Sequence, residues 1–118
     1  MSVLIAEDDL MILKTLEFRL KKDGYSTTAV NNGQDAIDYL KTNTPDLVIT
    51  DLMMPYVSGM ELLYYMKQNL PDVPVIILSA AGQEHTVTEA FTLGADDFIT
   101  KPFSPSELSL RVKRLLGK

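Results

Sequence analysis

Acidic residues stand directly behind two short apolar runs. Glu7-Asp8-Asp9 follows Ser2 to Ala6, and Asp51 follows Asp46 to Thr50. A third run, Val73 to Ser79, ends in a hydroxyl, and Lys101-Pro102 follows a weaker run from Phe98 to Thr100. Carboxylates gathered from separate strand ends repel one another, so they must hold protons at raised pKa or recruit a cation. Oxygen-only ligation with few carboxylates and several retained waters suits magnesium, with manganese as its substitute, beside a phosphate group. A carboxylate can itself attack a phosphoryl group to form an acyl phosphate, provided charge on the phosphoryl oxygens is neutralised. Asp51 is placed to be that nucleophile. The metal would cover one phosphoryl oxygen, Lys101 could pair with a second, and Ser79 could donate a hydrogen bond to a third.

Taken singly, each residue has a plainer reading. Glu7-Asp8-Asp9 or Asp51 could be a solvated loop or a helix cap. Ser79 could satisfy a loop amide, and Phe98 could be simple core. Their joint placement behind buried strands favours the chemical reading. His85, the single histidine, falls at the start of an exposed helix and is not read as catalytic.

The elements that must position these groups follow from periodicity. Ser2 to Ala6, Asp46 to Thr50 and Val73 to Ser79 suit strands buried on both faces, with Tyr25 to Val30 and Phe98 to Thr100 as weaker strands. Helical spacing covers Leu10 to Lys22, Gln34 to Thr42, Met60 to Leu70, Glu84 to Leu93 and Pro105 to Leu116. Strand then helix, five times, implies an α/β fold in which a five-stranded parallel sheet carries helices on both faces. Gly24, Asn32-Gly33 and Gly94 are sites for left-handed backbone, and Ser104-Pro105-Ser106-Glu107 reads as a capping box. Ligands of such sheets bind beyond the carboxyl ends of the strands, which is where the reactive residues fall.

Composition narrows the classes. A chain of 118 residues with 46% hydrophobic content is read as one domain, residues 1–118. A formal net charge of -5 argues against direct nucleic-acid binding by this segment. The short apolar start, with acids behind it, fits neither a signal peptide nor a membrane span, so a cytoplasmic location is expected. No cysteine is present, which excludes disulfides and thiolate metal sites.

Over essentially its whole length the chain resembles the receiver domains of two-component response regulators. Leu4 to Asp9 looks like that family's acidic pocket, and Asp51-Leu52-Met53-Met54-Pro55 with Gly59 looks like its phosphoacceptor loop. Ile77-Leu78-Ser79-Ala80 matches its switch hydroxyl, and Gly94 to Phe103 its lysine-proline segment. The resemblance implies a flavodoxin-like fold with strand order 2-1-3-4-5 and a cis peptide before Pro102. It implies Asp51 as phosphoacceptor, and Asp8, Asp51 and the Met53 backbone carbonyl on the metal, with Glu7 acting through a bound water. It further implies Lys101 on the phosphoryl group, Ser79 and Phe98 as the switch pair, and a histidine kinase or phosphotransfer protein as donor. Phe98 lacks the hydroxyl of the commoner tyrosine, so packing must couple the two switch positions.

The segment from Gly94 to Leu116 is similar to regulators that carry a DNA-binding domain C-terminal to the receiver and form a homodimer on phosphorylation. There Asp97, Glu107 and Arg111 would belong to the dimer face, whereas Val87 and Ala81 stand where that group usually carries charge. Met53 and Ala81 would flank the path of an attacking water, so their apolar bulk is expected to influence phosphoryl lifetime.

Three rival readings remain in view. A phosphatase or phosphomutase similar to the haloacid-dehalogenase family would need an Asp two residues after the nucleophile, where Met53 stands. A flavin or dinucleotide binder would need a Gly- or Thr-rich loop after the first strand. A scaffold without phosphorylation would not need Glu7, Asp8, Asp51, Ser79 and Lys101 together.

Overall fold

The computed structural model describes residues 1–80 and 82–117. Strands and helices alternate along them: β1 (Ser2–Ala6), α1 (Leu10–Lys22), β2 (Ser26–Val30), α2 (Gly33–Leu40), β3 (Leu47–Asp51), α3 (Gly59–Asn69), β4 (Val75–Ala80), α4 (Glu84–Leu93), β5 (Asp97–Lys101) and α5 (Pro105–Leu116). The strands form one parallel sheet in the order β2-β1-β3-β4-β5. Both the α/β class and the flavodoxin-like order agree with the expectation.

Side-chain alternation along a strand decides which layer each residue joins. Val3, Ile5, Leu47, Ile49, Ile76, Leu78 and Ile99 pack with Leu13, Leu16 and Leu20 of α1 and Leu108 and Val112 of α5. The intervening Leu4, Ala6, Val48, Val75 and Ile77 pack with α2, α3 and α4 through Ala36, Leu40, Leu62, Leu63, Met66, Val87 and Ala90. Each large side chain buried in these layers contributes about 1.5–3 kcal/mol relative to exposure. The edge strands explain the weaker sequence signals: β2 reads Ser-Thr-Thr-Ala-Val and has no fully buried residue.

Helix starts depart from expectation at three places. Ser104 accepts from the Glu107 N–H at 3.1 Å, but the Glu107 carboxylate accepts from Arg111 instead of returning to Ser104, so half of the expected capping box exists. The complete box is at α3, where Ser58 and Glu61 exchange side-chain bonds with each other's backbone. Gly24 and Gly94 are left-handed as expected. Gly33 is not; it is the first residue of α2 and sits against the carbonyl of Val57, which leaves no room for a Cβ.

Candidate functional site

Three functional side chains share one layer for the reason that builds the core. Counting by twos from Val3 and Ile5 gives Glu7, from Leu47 and Ile49 gives Asp51, and from Ile99 gives Lys101. All three therefore point to the α1/α5 side at the carboxyl ends of their strands. Asp51 is level with Leu78, and Leu78 with Ile99, so Lys101 lies two residues farther along β5. Its long side chain spans the intervening β4 and brings Nζ to 3.3 Å from Asp51 Oδ2 and 2.9 Å from Glu7 Oε1.

The three consecutive acids divide between separate tasks. Glu7 is fully buried, and its Oε2 accepts from the Asp9 N–H at 3.1 Å. Asp8 is exposed at the pocket mouth. Asp9 caps α1, accepting from Met11 and Ile12 N–H at 2.9 and 3.3 Å. One carboxylate oxygen from each of Glu7, Asp8 and Asp51 lies within 4.8 Å of the others.

Electrostatics mark this pocket as under charge stress. Burial pushes the Glu7 carboxyl up to about 7, with the Asp9 N–H and Lys101 opposing and Asp51 adding to the rise. Burial also pushes Asp51 up, against the pull of Lys101, and Asp8 adds to the rise. Lys101 would be lowered by burial, but hydrogen bonding to Glu7 and the charges of Asp51 and Glu7 outweigh that and hold it above its ordinary value. An oxygen-only set of three close carboxylates, in which burial penalises the ionised forms of Glu7 and Asp51, fits a hard divalent cation, which offsets the repulsion.

The loop from Asp51 to α3 turns tightly. Leu52 donates to the Leu78 carbonyl at 3.2 Å, and Gly59 donates to the Leu52 carbonyl at 2.9 Å. Met53 follows Leu52 in this loop and is 63% exposed. Ala81, expected opposite Met53, lies outside the described residues. The peptide before Pro102 is cis.

This architecture places the chain among known proteins. The family model "Response regulator receiver domain" matches residues 3–113. The chain belongs to the response regulator receiver family. Response regulator SaeR from Staphylococcus aureus is 41% identical over 116 residues, which is 98% of this chain and 50% of that protein. The chain thus spans about half the length of the curated relatives it matches. Among solved structures, the Francisella response regulator 1452 receiver domain superposes with a TM-score of 0.91 at 37% identity, covering 98% of this chain and 96% of that one. A putative response regulator from Chloroflexus aurantiacus gives 0.92 at 32% identity, covering 99% and 98%. This chain is therefore a receiver domain of two-component signalling, not a classical enzyme, in a family that binds magnesium at an acidic pocket. Among the described residues no helix is long and apolar enough to cross a membrane.

The expected switch residues lie on the other layer of the receiver. Ser79 is buried on β4 level with Thr100, on the face that Ile77 shares, and so stands outside the Lys101 cluster. It borders a cavity of about 270 Å³ lined also by Val87, Thr88, Phe91, Phe98 and Thr100. Phe98 meets Phe91 edge to face, with centroids 5.7 Å apart at 87°. His85 is almost fully exposed and pairs with Glu89 at 3.0 Å.

Asp97, Glu107 and Arg111 form one network within the chain. Arg111 Nη1 meets Asp97 Oδ1 at 2.8 Å, Arg111 Nε meets Glu107 Oε2 at 3.3 Å, and Arg114 Nη2 meets Asp97 Oδ2 at 2.7 Å. Arg114 was not anticipated, although it follows Arg111 by three positions on α5 and so shares its face. Burial would raise the Asp97 carboxyl, but Arg114, the Phe98 N–H and Arg111 outweigh it and hold the group below its ordinary value. A carboxyl lowered on folding stabilises above its unfolded pKa, and that contribution fades as pH falls through the folded value. Asp97→Asn should therefore lose about 2 kcal/mol at neutral pH, the scale of charged hydrogen bonds. Urea unfolding should show this gap closing as pH drops below about 4.

Proposed function

We propose that Asp51 is the phosphoacceptor of a two-component switch and takes its phosphoryl group from a histidine kinase or phosphotransfer protein. The observation that supports this best is the placement of Asp51: a carboxylate only 6% exposed, at the open rim of the sheet, 3.3 Å from an ammonium and beside two further carboxylates. Asp51 attacks phosphorus, the bond from phosphorus to the donor nitrogen breaks, and the donor imidazole leaves with the electron pair. Asp8, Asp51 and the Met53 carbonyl would hold magnesium, with Glu7 acting through a water. When bound, the ion disperses charge on the phosphoryl oxygens. Lys101, kept charged by its two carboxylate partners, neutralises a second oxygen, and the Ser79 hydroxyl donates to the third.

The signal then passes by packing. Movement of Ser79 toward the phosphoryl group opens space on the α4 side, and the Phe98 ring turns into the cavity that it borders. The α4, β5 and α5 face changes with it. Homodimer formation there would draw on Asp97, Glu107 and Arg111, whose pairs lie within one chain and would have to exchange across the interface. An effector domain C-terminal to the receiver is part of this reading, supported by relatives of about twice the length.

The reading is tested by incubating the protein with magnesium and a small acyl-phosphate donor and recording intact mass. Gain of one phosphoryl group, abolished by chelator, is expected. A parent that binds magnesium yet gains nothing would make a non-phosphorylated scaffold the better reading.

A further inference from the structure

The loop between β3 and α3 contains the single positive-φ residue, glycines aside, among the described residues: Tyr56, at +68°. The Val57 N–H donates back to the Pro55 carbonyl at 2.8 Å, so the chain reverses within three residues around Tyr56. A three-residue turn with positive φ at its centre is rare and strained, and it persists only where the surroundings over-determine it. The Tyr56 side chain is 85% exposed and does not supply that hold.

Two glycines outside the turn let the flanking helices approach the loop closely. Gly59 opens α3 against the Asp51 carbonyl, where a Cβ would overlap backbone atoms of Asp51 and Leu52. Gly33 opens α2 against Val57, where a Cβ would overlap the Val57 carbonyl and its Cβ. Neither glycine has a left-handed φ, so proximity rather than conformational freedom requires them. Asn32 fixes the start of α2 by accepting from the Asp35 N–H at 2.8 Å. The segment that carries Met53 is thus seated at one end on α3 and at the other on α2.

We propose that Gly33 is a positioning residue for the metal pocket, acting through Val57 to fix the loop that presents the Met53 carbonyl. The proposal rests on the metal-pocket reading given above and adds a determinant that no carboxylate supplies. A side chain at position 33 would press on backbone, which no rotamer change can relieve. Either the loop or α2 must move, and the carbonyl moves with the loop.

Magnesium titration of the metal-free protein, followed by amide NMR shifts, tests this, with urea unfolding of the same proteins in chelator. Parent and Asp8→Asn come first. Binding by the parent that weakens in Asp8→Asn supports the pocket; a parent that binds no magnesium overturns the pocket and this proposal together. Given a binding parent, Gly33→Ala is expected to weaken affinity about 10-fold or more, the scale seen when groups supporting metal ligands are removed. Leu20→Ala, a core truncation in α1, should lose stability and keep affinity within about twofold, because its cost is confined to packing. Parental affinity in a folded Gly33→Ala overturns the role of Gly33 and leaves the pocket standing. If Gly33→Ala does not fold, Val57→Gly decides: it removes the side chain beside Gly33 and frees the backbone whose carbonyl lies against it, which loosens the seat. Affinity weaker by about threefold or more supports the proposal, and parental affinity overturns it. Tyr56→Gly should bind as the parent does; a fall as large as that expected for Gly33→Ala would assign the positioning to Tyr56 instead.

Discussion

Asp51→Asn is expected to accept no phosphoryl group, and in metal-free buffer at neutral pH to unfold at a higher urea concentration than the parent. The first outcome follows from loss of the nucleophilic oxygen pair. The second follows from the sign of the titration: burial pushes the Asp51 carboxyl up, Asp8 pushes it further, and Lys101 compensates only in part. A carboxyl raised on folding costs stability at every pH above its unfolded value. A neutral amide of the same shape removes that cost, while Lys101 keeps Glu7 as its partner at 2.9 Å. Added magnesium should reverse the ranking, because an ion that binds only the folded parent stabilises it in proportion to the logarithm of its concentration. A variant less stable than the parent without metal would show that the Lys101 pair outweighs the carboxylate repulsion.

Lys101→Met should lower the rate of phosphorylation by about 10²–10³-fold, the usual loss when one preorganised donor to a developing oxyanion is removed. Methionine keeps the apolar length of a side chain that is largely buried and deletes the ammonium 3.3 Å from Asp51. Lysine raised on folding stabilises below its unfolded pKa and loses that contribution as pH rises through the folded value, so the parent has it in full at neutral pH. Its loss leaves two buried carboxylates facing each other, and Glu7, already near neutrality, takes up a proton. The stability cost is therefore smaller than the roughly 3–5 kcal/mol of an orphaned buried charge. Lys101→Arg is not expected to rescue the rate, since a planar fork cannot occupy the place of a compact ammonium. Single-turnover phosphorylation followed by mass measures both variants.

Much of the architecture was legible because the central strands are buried on both faces and read as unbroken apolar runs. Asp51, Glu7 and Lys101 could be placed at one rim because each closes such a run or follows it. Their sharing of one face needs only counting by twos. What was not legible depended on contacts between segments distant in sequence. Gly33 looks like a turn residue beside Asn32, but its requirement comes from Val57, which packs against it from another loop. Glu107 stands at the right spacing for a capping box, but Arg111 one turn later competes for the same carboxylate. The complete box forms instead at Ser58 and Glu61, which have the same three-residue spacing and, among the described residues, no competing arginine bond on the Glu61 carboxylate. The joining of Asp97 to both Arg111 and Arg114 needed the packing of α5 onto β5, which spacing along α5 alone does not supply.

The central claim is that Asp51 carries an acyl phosphate, and chemical trapping tests it most directly. Protein exposed to magnesium and an acyl-phosphate donor would be treated with borohydride, which reduces an acyl phosphate to the alcohol and leaves free carboxylates untouched. Peptide mass mapping should then find homoserine in place of Asp51, dependent on donor and absent with chelator. Homoserine at Asp8 or another aspartate, the corresponding longer alcohol at a glutamate, or phosphate held on a hydroxyl with Asp51 unreduced, would contradict the account.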